Sequence, residues 1–121
     1  VTLDVSVSRD PENLVERMFQ ADIAVSTASS TTYELLAVGT PIVCQPVAEN
    51  QQMIAETLEN RDIASVVNAG EENPGFRRSI DRYISDTSLR KRYSETGRKL
   101  VDGYGTERIY AEVISMAQNR T

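Results

Sequence analysis

The sequence predicts an α/β fold, a three-layer Rossmann-like domain with a mainly parallel sheet of about four strands followed by C-terminal helices. Three observations support it. Short apolar runs typical of strands alternate with segments of helical spacing. Turns rich in Ser, Thr, Asn, Gly and Pro separate them. From Phe76 onward the pattern is purely helical. Such alternation is typical of a parallel sheet covered by helices on both faces.

The first predicted elements are a strand and a helix. Apolar and polar residues alternate with period two over Val1–Val7, which predicts a half-exposed strand. Asp10 followed by Pro11 predicts a helix start, because Asp is a favoured N-cap and Pro is favoured at the first helical position. The apolar stripe predicted for this helix consists of Leu14, Val15, Met18 and Phe19.

Two short apolar runs, Ile23–Val25 and Ile42–Cys44, predict buried strands. Between them the sequence predicts a helix over Thr31–Val38 that ends at Gly39, because glycine readily closes a helix in the left-handed conformation. After the second strand, Asn50 predicts the N-cap of a helix. The residues expected to point inward from that helix are Met53, Ile54, Thr57 and Leu58.

The remaining elements are a fourth strand over Ile63–Val67, a polar turn over Asn68–Gly75 and three helices. Thr106 is the predicted cap of the last helix. The apolar positions that mark the three helices are Ile80, Tyr83 and Ile84, then Leu89, Tyr93 and Leu100, then Ile109, Tyr110, Val113, Ile114 and Ala117.

Composition excludes several classes of function. The 121 residues suit one domain, and a net charge of −5 argues against a nucleic-acid partner. No apolar run is long enough for a membrane span. The chain has no histidine, the commonest general base and zinc ligand, so we expect no catalytic residue, no metal and no cofactor here. The single cysteine, Cys44, fits a reducing environment and predicts a cytoplasmic protein.

A hydroxyl-rich turn is the first candidate site. It directly follows a buried strand and leads into a helix, and it consists of Ser29, Ser30, Thr31 and Thr32. Open α/β sheets bind ligands at the carboxyl ends of their strands. The free amides and the dipole at a helix N-terminus favour an anion. An ordinary polar turn with an N-cap is the commoner explanation for any one of these residues. Four of them together directly after a predicted strand favour a pyrophosphate site.

Glu34 and the turn after the next strand complete the candidate site. The Glu34 carboxylate can accept two hydrogen bonds from a ribose diol. Alternatively, Thr31 and Glu34 have the spacing of a capping box, in which Glu34 bonds back to the helix start. The polar side chains of Glu49, Asn50 and Gln51 can bind sugar hydroxyls. Their alternative role is helix capping and a favourable interaction of Glu49 with the helix dipole.

Several of these segments together resemble the C-terminal domain of GT-B-fold glycosyltransferases. The resemblance is strongest to the UDP-sugar hydrolases of pseudaminic acid biosynthesis and the related spore-coat polysaccharide biosynthesis proteins. The murein-precursor N-acetylglucosaminyltransferase is a more distant relative. The similarity extends over Val1–Val67 and returns near the C-terminus. The segments that carry it are Ala21–Val25, Ser30–Leu36, Gly39–Pro41, Ala48–Gln51, Asp102-Gly103 and Glu107–Ile109.

The resemblance implies that residues 1–121 are a single domain, the nucleotide-sugar-binding half of a longer glycosyltransferase or UDP-sugar hydrolase. By matching motif, Ser30, Thr31 and Thr32 would lie beside the diphosphate of UDP, and Glu34 would bind the ribose. Residues 49–51 would face the sugar and phosphates. The family's catalytic histidine lies in an N-terminal acceptor domain that this chain lacks. The chain alone is therefore expected to bind weakly and to be inactive.

The chain departs from the family in two ways. Ala28-Ser29 replaces the usual glycine pair, and Cβ atoms obstruct close approach of a phosphate. This substitution favours the alternative function, a non-enzymatic regulatory or partner-binding α/β module that has lost its ligand. The resemblance also begins at the family's third strand, so the fold is expected to be incomplete at its N-terminus. We therefore expect Val1–Val7 to pair in a non-standard way or by strand exchange in a homodimer.

Overall fold

The computed structural model describes residues 2–120 and shows an α/β fold with a small parallel sheet. Within that range the sheet has three strands in the order β1-β2-β3, and not the expected four. Between β2 and α3 the residues Glu49–Gln51 form a 3₁₀ turn. The elements are α1 (Leu14–Gln20), β1 (Ala24–Thr27), α2 (Ser30–Val38), β2 (Ile42–Gln45), α3 (Gln52–Asn60), β3 (Ser65–Val66), α4 (Glu72–Ser85), α5 (Thr87–Leu100) and α6 (Gly105–Gln118).

Two apolar cores lie on opposite faces of the sheet. Alternate residues of β2 point to opposite sides, so that Ile42 and Cys44 join one core and Val43 joins the other. The first core packs against α1, α2 and α3. The second packs against α4 and α5 through Tyr83 and Tyr93. The three layers place the carboxyl ends of β1 and β2 at one edge, where the candidate turns follow. None of the described helices is long and apolar enough to cross a membrane.

The strand predicted over Val1–Val7 does not form in residues 2–7, and Val1 itself lies outside the described residues. Leu3, Val5 and Val7 are 79%, 75% and 93% exposed. An alternating pattern gives a strand only where a neighbouring strand supplies hydrogen bonds and a surface to pack on. Among residues 2–120, no strand pairs with this segment, and β1 pairs with β2 alone. The prediction of a strand is therefore wrong for residues 2–7 of this chain.

Two predicted helix starts are also wrong. Asp10 has a φ of +48°, in the left-handed region, and the N-cap of α1 is Asn13. The chain therefore turns at Asp10 before the helix begins. In α1, Met18 is buried, whereas the other members of the predicted stripe are exposed. Asn50 lies inside the 3₁₀ turn, and α3 begins two residues later.

The inward face of α3 also differs from the prediction. Leu58 is buried as expected, but Ala55 replaces Met53, whose side chain is 78% exposed. The fourth predicted strand is shortened to the two residues of β3. Ile63 donates its amide to Leu58 O at 2.9 Å, which closes the end of α3 instead of continuing the sheet.

The three C-terminal helices form where the apolar pattern predicts them, but their first turns differ from the prediction. α4 begins at Glu72, inside the segment predicted as a polar turn, because Pro74 is tolerated in the first turn of a helix. Asp86 caps α5, since its Oδ1 accepts a hydrogen bond from the Leu89 amide at 2.9 Å. α6 begins at Gly105, one residue before the predicted cap Thr106.

The predicted end of α2 at Gly39 is confirmed. Gly39 has a φ of +81°, and the Thr40 amide donates to Leu35 O at 3.0 Å. A Cβ atom at Gly39 would lie 2.7 Å from Ser94 Oγ, so glycine also permits α5 to approach. Gly97 on α5 has the matching role, because its Cβ would lie 3.1 Å from Leu36 Cδ2. The two glycines therefore let α2 and α5 cross closely.

The Tyr83 hydroxyl bridges β2 and β3. It donates to Ile42 O at 2.7 Å and accepts from the Ser65 amide at 3.1 Å, in addition to the direct parallel pairing of the two strands. Burial is the main cause that raises the pKa of this phenol above its ordinary value. The Tyr93 ring packs edge-on against Tyr83 at 5.8 Å between centroids. This arrangement joins α4 and α5 to the edge of the sheet.

Candidate functional site

The two candidate turns lie side by side at the carboxyl edge of the sheet. β1 ends at Thr27 and β2 ends at Gln45, in parallel register with each other. The Ala28 amide donates to Gln45 O at 3.1 Å, which extends the pairing beyond the strands into both turns. The fold therefore brings the two polar turns to the same edge, where open α/β sheets bind ligands.

Thr32 stabilises the first turn from within. Its side chain is fully buried, and its hydroxyl donates to Thr27 O at 3.0 Å. Its amide donates to Ser29 O at 3.0 Å. Thr27 in turn donates its hydroxyl to Ser29 Oγ at 3.2 Å. Because both donors of Thr32 are used inside the protein, the structure gives this residue a packing role, and only the neighbouring residues offer groups to a ligand.

Ser30 and Thr31 present uncommitted polar groups at the start of α2. Ser30 is exposed and Thr31 is half-buried, and neither side chain has a hydrogen bond within residues 2–120. The first amides of an α-helix have no acceptor inside the helix. Together these amides and hydroxyls form a patch of donors that favours an anion.

Glu34 is exposed one turn further along α2, and within the described range its carboxylate makes no hydrogen bond or ion pair. The N-cap of α2 is Ser29, with φ −111° and ψ −171° and no side-chain capping bond. Thr31 lies inside the helix, so the alternative of a capping box formed by Thr31 and Glu34 is wrong. The Glu34 carboxylate remains available to a ligand.

The second turn offers fewer free groups than the sequence suggested. Gln51 folds back over its own turn, because its Oε1 accepts from the Val47 amide at 2.9 Å. Glu49 and Asn50 are exposed, and their side chains make no hydrogen bond to other described residues. The Gln51 oxygen thus holds the loop in shape, and the two preceding side chains extend from it into solvent.

Ala28 and Ser29 fit the first turn without glycine. Neither residue has a positive φ. The Ala28 side chain is fully buried in the core on the α2 side of the sheet, whereas Ser29 is half-buried.

A cleft that the sequence did not predict lies between α2, α3 and the segment before α6. Its volume is about 490 Å³, and its lining includes Tyr33, Thr57, Arg61, Leu100 and Arg108. None of the eight predicted site residues lines it. The segments Asp102-Gly103 and Glu107–Ile109 of the family resemblance were the sequence signal for this region, although they did not identify a cleft.

Asp102 organises the entrance to α6 beside this cleft. Arg108 donates to Asp102 Oδ2, and the Tyr104 amide donates to Asp102 Oδ1 at 3.0 Å. The hydrogen bond from Arg108 is the main cause that lowers the pKa of the Asp102 carboxyl, and it raises the pKa of Arg108. Because Asp102 neutralises Arg108, the unpaired cation of this cleft is Arg61, as far as residues 2–120 show.

Comparison with known proteins gives one informative similarity. The chain is 31% identical over 96 residues to the spore coat polysaccharide biosynthesis protein SpsG of Bacillus subtilis (strain 168). The match covers 78% of this chain and 28% of SpsG, so the chain spans less than a third of that relative. No family model matches the chain, and no solved structure matches it. The similarity relates the chain to a protein of polysaccharide biosynthesis.

Proposed function

We propose that this chain is the nucleotide-sugar-binding domain of a longer cytoplasmic glycosyltransferase or UDP-sugar hydrolase that acts in polysaccharide biosynthesis. The observation that carries the proposal is the pairing of the two turns at the carboxyl edge, with Ser30, Thr31 and Glu34 uncommitted beside them. The similarity to a spore coat polysaccharide biosynthesis protein supports the same class of substrate.

In this proposal the diphosphate of UDP lies at the start of α2. The free amides of the first turn and the hydroxyls of Ser29, Ser30 and Thr31 donate to its oxygens. Glu34 lies four residues beyond Ser30, about 6 Å along the helix axis. That separation suits a ligand that presents a phosphate and then a ribose diol. Thr32 contributes by holding the turn in shape.

The second turn is proposed to face the sugar. The exposed side chains of Glu49 and Asn50 supply acceptors and donors for sugar hydroxyls. Gln51 retains its amide group for the ligand while its oxygen holds the Val47 amide. Directional hydrogen bonds of this kind select among sugars by the positions of their hydroxyl groups.

The chemical contribution of the domain is to stabilise the leaving diphosphate. Donors fixed at the start of α2 offset the negative charge that develops as the bond to the sugar breaks. The chain contains no histidine, so we assign the base that activates water or an acceptor hydroxyl to another domain of the full-length protein. The isolated chain is proposed to bind the nucleotide and not to turn it over.

Calorimetric titration with UDP tests the proposal. We expect Glu34→Ala to weaken binding by about tenfold or more, because it removes a charged acceptor of two hydrogen bonds. The matched control is Glu56→Ala, which removes an equally exposed carboxylate from α3 and should leave the affinity unchanged. Equal affinities of wild type and Glu34→Ala would contradict the assigned role of Glu34.

The second candidate is a non-enzymatic α/β module that has lost its ligand. It is favoured by the internal use of Thr32 and Gln51, which leaves fewer free polar groups than the sequence suggested. Absence of UDP binding at millimolar concentration in the full-length protein would support this candidate and exclude the first.

We also propose that a second copy of the chain pairs with residues 2–7 by strand exchange. The segment alternates apolar and polar residues and is highly exposed, and β1 has one sheet edge unpaired by any described residue. Open sheet edges favour such association.

A further inference from the structure

A polar cleft lies on the face of the sheet covered by α4. Its volume is about 280 Å³, and it is formed between β3 and α4. Polar side chains dominate its lining, namely Ser65, Glu71, Arg78, Ser79 and Arg82. None of them belongs to the turns proposed to bind UDP.

Two arginines supply the positive charge of this cleft. Arg78 and Arg82 are one helical turn apart, so their side chains leave the same side of α4. Within residues 2–120 neither guanidinium has a hydrogen bond or an ion pair. The neighbouring Arg77, by contrast, lies 4.0 Å from Asp81. Two like charges one turn apart repel each other slightly, and an anion between them removes that cost.

Neither Asp62 nor Glu71 forms an ion pair with the two arginines. Asp62 and Arg82 both act on the pKa of Tyr83, but Asp62 is bonded to Arg92 at 2.9 Å and to Tyr93 at 2.5 Å. Glu71 lines one side of the cleft, and its Oε2 accepts from the Asn68 amide at 3.4 Å. Because the Glu71 carboxylate repels an anion, we expect the ligand to lie on the arginine side of the cleft.

Two serine hydroxyls complete the cleft. Ser65 Oγ and Ser79 Oγ lie 2.7 Å apart, and one of the two donates to the other. One hydroxyl hydrogen therefore remains for a ligand. Gly75 permits β3 and α4 to approach here, since a Cβ atom at this position would lie 2.8 Å from Val67 Cγ1.

We propose that this cleft binds a phosphate group, carried by a soluble phosphomonoester or by a lipid headgroup. The planar guanidinium fork matches the geometry of phosphate oxygens, and two forks with one hydroxyl donor can hold three of them. The small volume fits the phosphate and a short part of its substituent. The site shares no residue with the proposed UDP site.

Residue-resolved NMR of the whole chain tests this site. Inorganic phosphate is titrated against a chloride control of equal ionic strength, and the amide shifts of α4 and of α2 are followed separately. We expect saturable shifts around Ser79, and a loss of affinity of about tenfold or more in the double variant Arg78→Ala/Arg82→Ala. Arg77→Ala is the matched control and should bind as wild type does. Arg78→Gln, measured in the same way, provides a milder variant.

The outcomes separate clearly. Unsaturable shifts in α4, or equal affinity in wild type and either cleft variant, would overturn the proposal. Saturable binding that is lost with the arginines supports it, whether or not α2 also responds. Sedimentation with phosphatidylcholine vesicles, with and without phosphatidic acid, then identifies the source of the phosphate. Arginine-dependent binding to phosphatidic acid indicates a lipid headgroup, and phosphate binding without vesicle binding indicates a soluble ligand.

Discussion

Two tyrosine hydroxyls on the α4 side of the sheet are hydrogen-bonded inside the protein, whereas two hydroxyls at the carboxyl edge are not. On the α4 side, Tyr83 and Tyr93 bury their rings, and each hydroxyl is bonded inside the protein. At the carboxyl edge, Ser30 and Thr31 carry hydroxyls that no described residue uses. Because unbonded donors cost little only where water or a ligand reaches them, the difference separates groups that hold the fold from groups available for binding.

The largest expected effect comes from removing the Tyr83 hydroxyl, which is bonded inside the protein. Tyr83→Phe leaves Ile42 O and the Ser65 amide without their shared partner. Each unsatisfied buried group costs about 1–3 kcal/mol, so we expect the free energy of unfolding to fall by about 3 kcal/mol in urea denaturation. Tyr110→Phe, at an exposed position of α6, is the control and should change it by less than about 0.5 kcal/mol. An unchanged free energy of unfolding in Tyr83→Phe would show that stability does not require the bridge.

The second prediction concerns the backbone of residues 2–7, which no described strand pairs with. If residues 2–7 pair with a second copy, Val5→Lys should raise the dimer dissociation constant by about tenfold, because the exchange would bury the Val5 side chain. Ser6→Lys places the same charge on the opposite side of the segment and serves as the control. Light scattering across a concentration series measures both. A wild-type chain that stays monomeric at every concentration would rule out the exchange.

The third prediction assigns different roles to two adjacent threonines, stability to Thr32 and ligand binding to Thr31. Thr32→Val removes a buried hydrogen bond to Thr27 O and should lower the free energy of unfolding by about 1 kcal/mol. Thr31→Val should leave that free energy nearly unchanged but weaken UDP binding by about fivefold, since it removes one donor. Denaturation and calorimetry on both variants check the pair. The reverse pattern would assign the ligand contact to Thr32 and refute the division.

The smallest effect concerns the exposed Asp102–Arg108 pair. The pKa of Asp102 lies below its ordinary value of 3.8, because the folded state favours the charged form of this carboxyl group. The resulting stability is fully present above that ordinary pKa and is lost as the pH falls through the lowered one. Asp102→Asn should therefore flatten the acid limb of the stability profile slightly, and high salt should reduce the difference. An unchanged acid limb at low salt would contradict the coupling.

Local sequence signals predicted the parts of the fold that local chemistry determines. The strands β1 and β2 and the end of α2 at Gly39 followed from apolar runs and from a glycine that takes a positive φ. The alternation in residues 2–7 did not yield a strand, because strand formation depends on a neighbour that no local pattern reveals. The start of α3 was misplaced because Asn50 entered a 3₁₀ turn instead of capping the helix.

The candidate site was predictable in position and less so in detail. Turns after two strands predicted as buried indicated the carboxyl edge, and the structure places both turns there. The prediction of burial is confirmed for β2 and wrong for β1, in which Val25 is 57% exposed. Whether a given hydroxyl faces inward depends on tertiary packing, so the sequence could not distinguish Thr32 from Thr31. The roles of the eight candidate residues in binding stay predictions. The clefts beside Tyr33 and Arg78 required the packing of distant segments and had no local signature.

The Tyr83 bridge has a consequence for how the molecule opens. The Tyr83 hydroxyl of α4 bonds to both of the last two strands beside their direct pairing, so detachment of β3 from β2 also breaks a contact with α4. Amide protons at Ser65 and in the middle of α4 should therefore exchange with solvent through one shared opening event. The edge of the sheet and the helix that covers it would then form one cooperative unit.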